Sequence, residues 1–268
     1  MILTNDKIIH KSGENFDNIE FRRLLEYQNI LTHAYTLRNA KINFGPNLSF
    51  DECSKNYQNL CNELNLDTQK VVRPYQKHTG KVTVISERKT NKLEYNPTYL
   101  NDTDWLITNK KDIILSTTNA DCILFLLFDP VHKVIANVHS GWRGTLQKIV
   151  INAVSKMQTN YQSNPKDIIC CICPSIRKCH FEVDTNVKDL FYKKFSYLPN
   201  INQIIEKVQN KYHIDTILLN KTLLLNIGLK EENIIDSGIC SVCHSEQINS
   251  YRIDKENYKL STAIITLK

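Results

Sequence analysis

Asn119-Ala-Asp-Cys-Ile-Leu-Phe-Leu-Leu-Phe-Asp-Pro130 and, two residues on, Lys133-Val-Ile-Ala-Asn-Val-His-Ser-Gly-Trp-Arg-Gly144 decide the fold. Cys122–Phe128 is an unbroken apolar run of strand length, as a strand buried on both faces requires. Asp129-Pro130 stops it, because proline donates nothing to a central ladder. Lys133–Val138 starts a second strand almost at once, so the pair reads as a hairpin. Beyond Gly144 the period changes. Leu146, Ile149, Val150, Ala153, Val154 and Met157 follow the 3.6-residue spacing of one buried helical stripe.

Outward from this hairpin, Val82–Ser86, Trp105–Thr108 and Ile113–Thr117 read as strands. Ile168–Cys173 is another buried strand, halted by Pro174, and Ile234–Asp236 and Ala263–Leu267 are late ones. Asp215 is placed to cap a helix through Leu218, Leu219, Leu223 and Leu224, with Gly228 as its stop. Strands arrive both in hairpins and after helices. The expectation is one α/β domain over residues 1–268, a mixed α+β fold with mixed sheets and flanking helices.

The 268 residues suffice to bury a core without disulfides. The net charge of +6 is spread along the chain without a Lys/Arg block, which argues against a nucleic-acid partner. No apolar run approaches the length of a membrane span. The opening Met1-Ile-Leu-Thr-Asn-Asp lacks a charged region followed by an apolar run, so no signal peptide is expected. Nine cysteines, an odd number, then point to reduced thiols and a cytoplasmic location.

Three segments place metal-capable or nucleophilic side chains at strand ends: Gln76-Lys-His78-Thr-Gly80, Asn119-Ala-Asp121-Cys122 and His139-Ser-Gly141-Trp-Arg143-Gly144. Two imidazoles and a thiolate suit a borderline-soft ion such as Zn²⁺, with the fourth position open for catalysis. By spacing alone, a buried core thiol at Cys122 and a satisfied polar His139 remain open. Arg143, beside a helix start, could hold phosphate or carboxylate, or could be a surface residue of the turn. Asp121 could orient a ligand or pin a turn. Cys170, Cys171, Cys173, Cys179 and the pair Cys240-x-x-Cys243 could form a second metal site; we read them as small core hydrophobes.

Together these segments resemble the laccase-domain family, also called the multicopper polyphenol oxidase family. Its members have been described as purine nucleoside phosphorylases with adenosine deaminase activity, and some as peptidoglycan editing factors. The resemblance rests on Gln76-Lys-His78, on Ala120-Asp-Cys122 with Asp129-Pro130, and on His139-Ser-Gly-Trp-Arg-Gly144. It extends to His33-Ala-Tyr-Thr-Leu-Arg38, Asn43-Phe-Gly45, Asn56, Cys173-Pro-Ser-Ile176, Phe181-Glu-Val183 and Ser250-Tyr-Arg252, covering about residues 30 to 268. Cys173 stands where the family usually has glycine. The Gly-Arg pair that usually follows the Ser-Tyr-Arg and the early Gly-Gly-Val-Ser loop are absent.

The resemblance implies that His78, Cys122 and His139 are zinc ligands. It implies a phosphorylase acting on adenosine or inosine, and on methylthioadenosine as a further candidate, with adenosine deaminase activity. Cys122, His78, His139 and Arg143 would be catalytic, and Arg38, Asn43, Gln76 and Arg252 would contact the nucleoside or phosphate. Eight histidines, two of them in the triad, give no basis for a multi-copper cluster. Two alternatives stand beside this reading. One is a Cys-His hydrolase or amidase for cell-wall precursors, with Cys122 as nucleophile. The other is a metal-binding scaffold without catalysis.

Overall fold

The structure is a computed structural model and describes residues 3–39, 42–45, 48–78, 80–90, 92–95, 97–111 and 113–268. Thr79 of the first chemical segment lies outside them. In chain order the strands are β1 Ile8–Lys11, β2 Asn18–Phe21, β3 Leu31–Thr36, β4 Val71–Arg73, β5 Lys81–Val84, β6 Glu94–Tyr95, β7 Thr103–Thr108 and β8 Ile114–Asn119. There follow β9 Ile123–Asp129, β10 Val134–Ser140, β11 Ile169–Ile172, β12 Glu182–Val183, β13 Ile205–Val208, β14 Lys211–Ile214, β15 Ile234–Asp236 and β16 Ser261–Leu267.

They form a seven-stranded sheet, β1-β2-β3-β16-β8-β4-β6, a six-stranded sheet, β15-β11-β9-β10-β7-β5, and a small sheet, β12-β14-β13. The central pairs β9/β10 and β16/β8 are antiparallel, whereas β5/β7, β4/β8 and β11/β15 are parallel. The mixed α/β architecture expected from the sequence is what the chain adopts.

The β9 run is apolar at every position because both its faces meet protein. Leu124, Leu126 and Phe128 enter the core between the two large sheets, with Leu115, Ala263 and Ile265 from the facing sheet. Ile123, Phe125 and Leu127 point the other way, onto the Ile149–Tyr161 helix and the Thr216–Asn226 helix. The outer face of the seven-stranded sheet is covered by the Phe50–Glu63 helix through Cys53, Tyr57, Leu60 and Cys61. Ser49 and Glu52 close that helix's N-terminus as a reciprocal capping box. The result is four layers, helix on sheet on sheet on helix.

The β9–β10 hairpin turns as expected. The Asp129 carboxylate accepts from the Val131 and His132 backbone N–H groups. Asp215 caps its helix by accepting from Leu218 N at 2.8 Å, and Gly228 takes the positive φ of 97° just beyond the end.

One expectation needs correction. The helical stripe from Leu146 is two helices, Trp142–Leu146 and Ile149–Tyr161, split where Lys148 turns left-handed at φ 57°. Ile149, Val150, Ala153, Val154 and Met157 stay fully buried, while Leu146 leaves the stripe and packs in a satellite cluster with Phe191 and Phe195. Among the described residues, no helix is long and apolar enough to cross a membrane.

Candidate metal centre at the strand ends

The antiparallel register of β9 and β10 pairs Leu124 with His139 and Ile123 with Ser140. Cys122, one residue before β9, therefore reaches the same end of the sheet as His139. His78 arrives from a different direction, three residues past the isolated bridge between Tyr75 and Asn101, with a positive φ of 57°. Its backbone N–H donates to Asp104 Oδ1 at 2.9 Å, and that bond fixes the unusual turn.

Nitrogen and sulfur atoms of His78, Cys122 and His139 all lie within 4.8 Å of one another. Cys122 Sγ is 3.6 Å from His78 Nε2, and the two imidazole rings meet edge-on at 4.9 Å between centroids. Gly141 makes this closeness sterically feasible. A Cβ there would fall 2.4 Å from His78 Cδ2 and 3.3 Å from Cys122 Sγ. Two imidazole nitrogens and one sulfur, gathered without a fourth protein ligand among the described residues, fit a soft or borderline metal with an open position.

Asp104 was not singled out by sequence reasoning. Its carboxylate is fully buried and takes the His139 Nδ1–H at 2.9 Å, besides the His78 N–H. That bond sets the tautomer and turns Nε2 of His139 toward the cluster, the usual second partner of a metal-binding histidine. Burial opposes a charged His139, but Asp104 and Cys122 outweigh it and lift the imidazole to about 9. Burial likewise opposes the Cys122 thiolate, but His139 and His78 outweigh it and bring the thiol down to about 6. The sequence signal for Asp104 was a carboxylate on a strand adjacent to a histidine-bearing one, visible only once β7 and β10 are known to pair.

Asp121, at φ 84°, does the other job considered for it. Its Oδ1 accepts from Ser241 Oγ at 2.6 Å and Ser250 Oγ at 2.7 Å, and its Oδ2 from Arg252 N at 2.7 Å. It ties the turn before Cys122 to the C-terminal loops.

The triad opens into a cleft of about 460 Å³, within the size range of small-molecule sites. Tyr75, Trp142, Phe181, Tyr251 and Tyr258 supply aromatic walls, and Arg73 and Arg252 supply cationic side chains. Gln76 lines it too, with its amide engaged. Nε2 donates to Thr118 O at 2.9 Å, and Oε1 accepts from Thr118 N at 2.8 Å.

The remaining sequence candidates are placed around the cleft rather than in it. Arg38 forks onto Asp254 at 2.7 and 2.9 Å, steadying the short Tyr251–Asp254 helix that carries Arg252. Asn43 Oδ1 accepts from Gly45 N and Leu260 N, a turn-holding role. Arg143 is exposed and stacks on Trp142 at 4.2 Å. Arg73, missed in the sequence, is almost fully buried and its Nε has no hydrogen-bond partner.

Fold and site together define a protein with a His₂Cys centre at the strand ends of a two-sheet α/β scaffold. The family model described as multi-copper polyphenol oxidoreductase laccase matches residues 35–268, and the chain belongs to that family. A purine nucleoside phosphorylase of Bacteroides thetaiotaomicron is 29% identical over 243 residues, covering 87% of this chain and 89% of that one. An adenosine deaminase, RL5, from an unknown prokaryotic organism is 30% identical over 209 residues, covering 76% and 78%. The crystal structure of a Bacillus licheniformis hypothetical protein, YfiH, superposes with a TM-score of 0.86 at 22% identity, covering 97% of this chain and 99% of that one.

Among the described residues, no second cluster of histidines answers the family's multi-copper description. His10, His33, His132, His213 and His244 are each bonded elsewhere: to Asp17, Phe21 N, Asp129, Lys178 O and Cys240 O.

Proposed function

We propose that this protein is a zinc-dependent purine nucleoside phosphorylase of the cytoplasm, cleaving adenosine and inosine with phosphate, and that the same centre deaminates adenosine. The observation that carries this reading is the convergence of His78, Cys122 and His139 at the floor of an aromatic-walled cleft that also holds Arg73 and Arg252. Relatives named for both activities support it.

Zinc, when bound by His78, Cys122 and His139, would acidify a water molecule and polarise a substrate oxygen or nitrogen. The chain's own groups do the rest. Tyr251, Tyr258 and Trp142 offer faces on which a purine stacks. Arg252 offers the forked donors that suit phosphate. In phosphorolysis a phosphate oxygen bonds to ribose C1′ as the C1′–N9 bond breaks. The purine departs with the bonding pair and takes a proton from solvent. His139, held by Asp104, keeps its orientation throughout.

A second reading has one specific observation in its favour. Asp104, His139 and Cys122 form a chain in which a carboxylate orients an imidazole beside a thiol, the order of parts in a thiol hydrolase. Under that reading cell-wall amides are the substrates.

Purified protein incubated with adenosine, with and without phosphate, distinguishes the two when adenine, inosine and hypoxanthine are resolved chromatographically. Adenine that appears only with phosphate, and is absent with Cys122→Ala, supports phosphorolysis. No turnover of any purine nucleoside by zinc-loaded protein would discard it in favour of the hydrolase.

A further inference from the structure

Three of the cysteines read from sequence as core hydrophobes do what was expected. Cys170, Cys171 and Cys173 are buried in and just after β11, and burial pushes all three thiols well up. The other three do not. Cys179 and Cys243 are exposed, Cys240 is buried, and all three sulfurs meet around His180.

The geometry of this second cluster is that of a metal cage. Cys179 Sγ lies 3.6 Å from Cys240 Sγ and 3.8 Å from Cys243 Sγ. His180 Nδ1 lies 3.2, 3.5 and 3.7 Å from the sulfurs of Cys179, Cys243 and Cys240. A tetrahedral zinc with Zn–S of about 2.3 Å and Zn–N of about 2.0 Å demands S···S edges of about 3.8 Å and S···N edges of about 3.5 Å. Five of the six edges therefore already stand near the required length, and all four ligand atoms fall within 4.8 Å.

The backbone is built to match. Ser175 and Cys240 form a parallel bridge, with Ser241 N donating to Ser175 O at 3.0 Å, so two distant loops are brought side by side. Cys240 and Cys243 lie on one tight turn, in which His244 N returns to Cys240 O. Backbone N–H groups of Cys243, Arg177 and Val242 point at the Cys240 sulfur. Three crowded thiols cannot all ionise without a cation among them.

We propose that Cys179, His180, Cys240 and Cys243 bind a second zinc ion, a structural one that clasps the 174–181 loop to the 239–250 loop. Three thiolates and one imidazole close the coordination shell, leaving no position for water or substrate. The three thiols release their protons to solvent as the ion enters. Both loops reach the cleft: the first supplies Ile176 and Phe181, and the second leads directly into Tyr251 and Arg252. The ion therefore holds the cleft's wall in place while taking no part in chemistry there. The proposal stands independently of which reaction the cleft performs.

The test is a zinc count on protein purified under reducing conditions, with folding checked by circular dichroism. About two zinc ions per chain are expected in the unaltered protein and about one in Cys122→Ala, which spares the second cluster. Cobalt(II) replacing zinc in Cys122→Ala gives strong near-ultraviolet thiolate-to-metal absorption, which needs no substitution in the cluster itself. Cys243→Ser, at an exposed position, loses one ion and lowers the melting temperature. Metal-free Cys122→Ala protein, or a zinc count unchanged by Cys243→Ser, would overturn the proposal. So would a mass 2 Da short in freshly isolated protein, the mark of a disulfide within the cluster.

Discussion

Asp104 Oδ1 accepts the Nδ1 proton of His139 at 2.9 Å, with neither side chain appreciably open to solvent. The same oxygen takes the backbone N–H of His78. One buried carboxylate thus orients two of the three residues of the cluster. Asp104→Asn keeps the shape and removes the charge. Zinc affinity at the cleft site is expected to fall about 10–100-fold, as for other outer partners of metal-binding histidines. Competition against a chromophoric chelator reads this directly. An affinity within twofold of the unaltered protein would mean that Asp104 serves packing only.

Gly141 is the residue on which the ligand spacing depends. In Gly141→Ala the new methyl would lie 2.4 Å from the His78 ring, so the exposed imidazole would have to swing away from Cys122 and His139. The variant is expected to fold, retain the Cys179 cluster's metal and lose at least about tenfold in affinity at the cleft. Zinc titration followed by calorimetry separates the two sites.

Legibility in the sequence divides along physical lines. The β9–β10 hairpin was readable because a strand covered on both faces needs an unbroken apolar run and a stop at Asp129-Pro130. The meeting of His78, Cys122 and His139 was readable through the resemblance of their three motifs, whereas spacing alone left Cys122 open as a core thiol. The strands β12, β13 and β14 were missed, since they run only two to four residues and are largely exposed, with too little apolar alternation to read. The break at Lys148 was hidden because Ile149 and Val150 continue the period of Leu146 across it. Arg73 and Asp104 act through tertiary neighbours that spacing does not encode, and so do Cys179 and Cys240, 61 residues apart.

His33 gives the fold a pH dependence. Its Nε2 accepts the Phe21 N–H at 2.7 Å, so the buried ring is neutral, and burial brings its pKa down to about 3. The unfolded chain binds a proton near pH 6.5 and the folded one does not. Stability therefore falls as pH drops below about 6.5, by about 2 kcal/mol at pH 5. Urea unfolding at pH 7.5 and pH 5 should show this loss in the native sequence. His33→Gln should show a smaller loss by about that amount.

Leu126 is wholly buried between the two large sheets. Leu126→Ala should cost about 2–5 kcal/mol in urea unfolding at pH 7.5, leaving the zinc count unchanged if the variant remains folded at room temperature. A cost below about 1 kcal/mol would mean that the two sheets do not share the core described.

The most direct test of the cleft's chemistry is ³¹P NMR of adenosine and inorganic phosphate with zinc-loaded protein. A ribose 1-phosphate resonance should grow in step with free adenine, and neither should appear with Cys122→Ala. Free adenine without that resonance, or equal product from Cys122→Ala, would contradict a phosphorylase built on His78, Cys122 and His139.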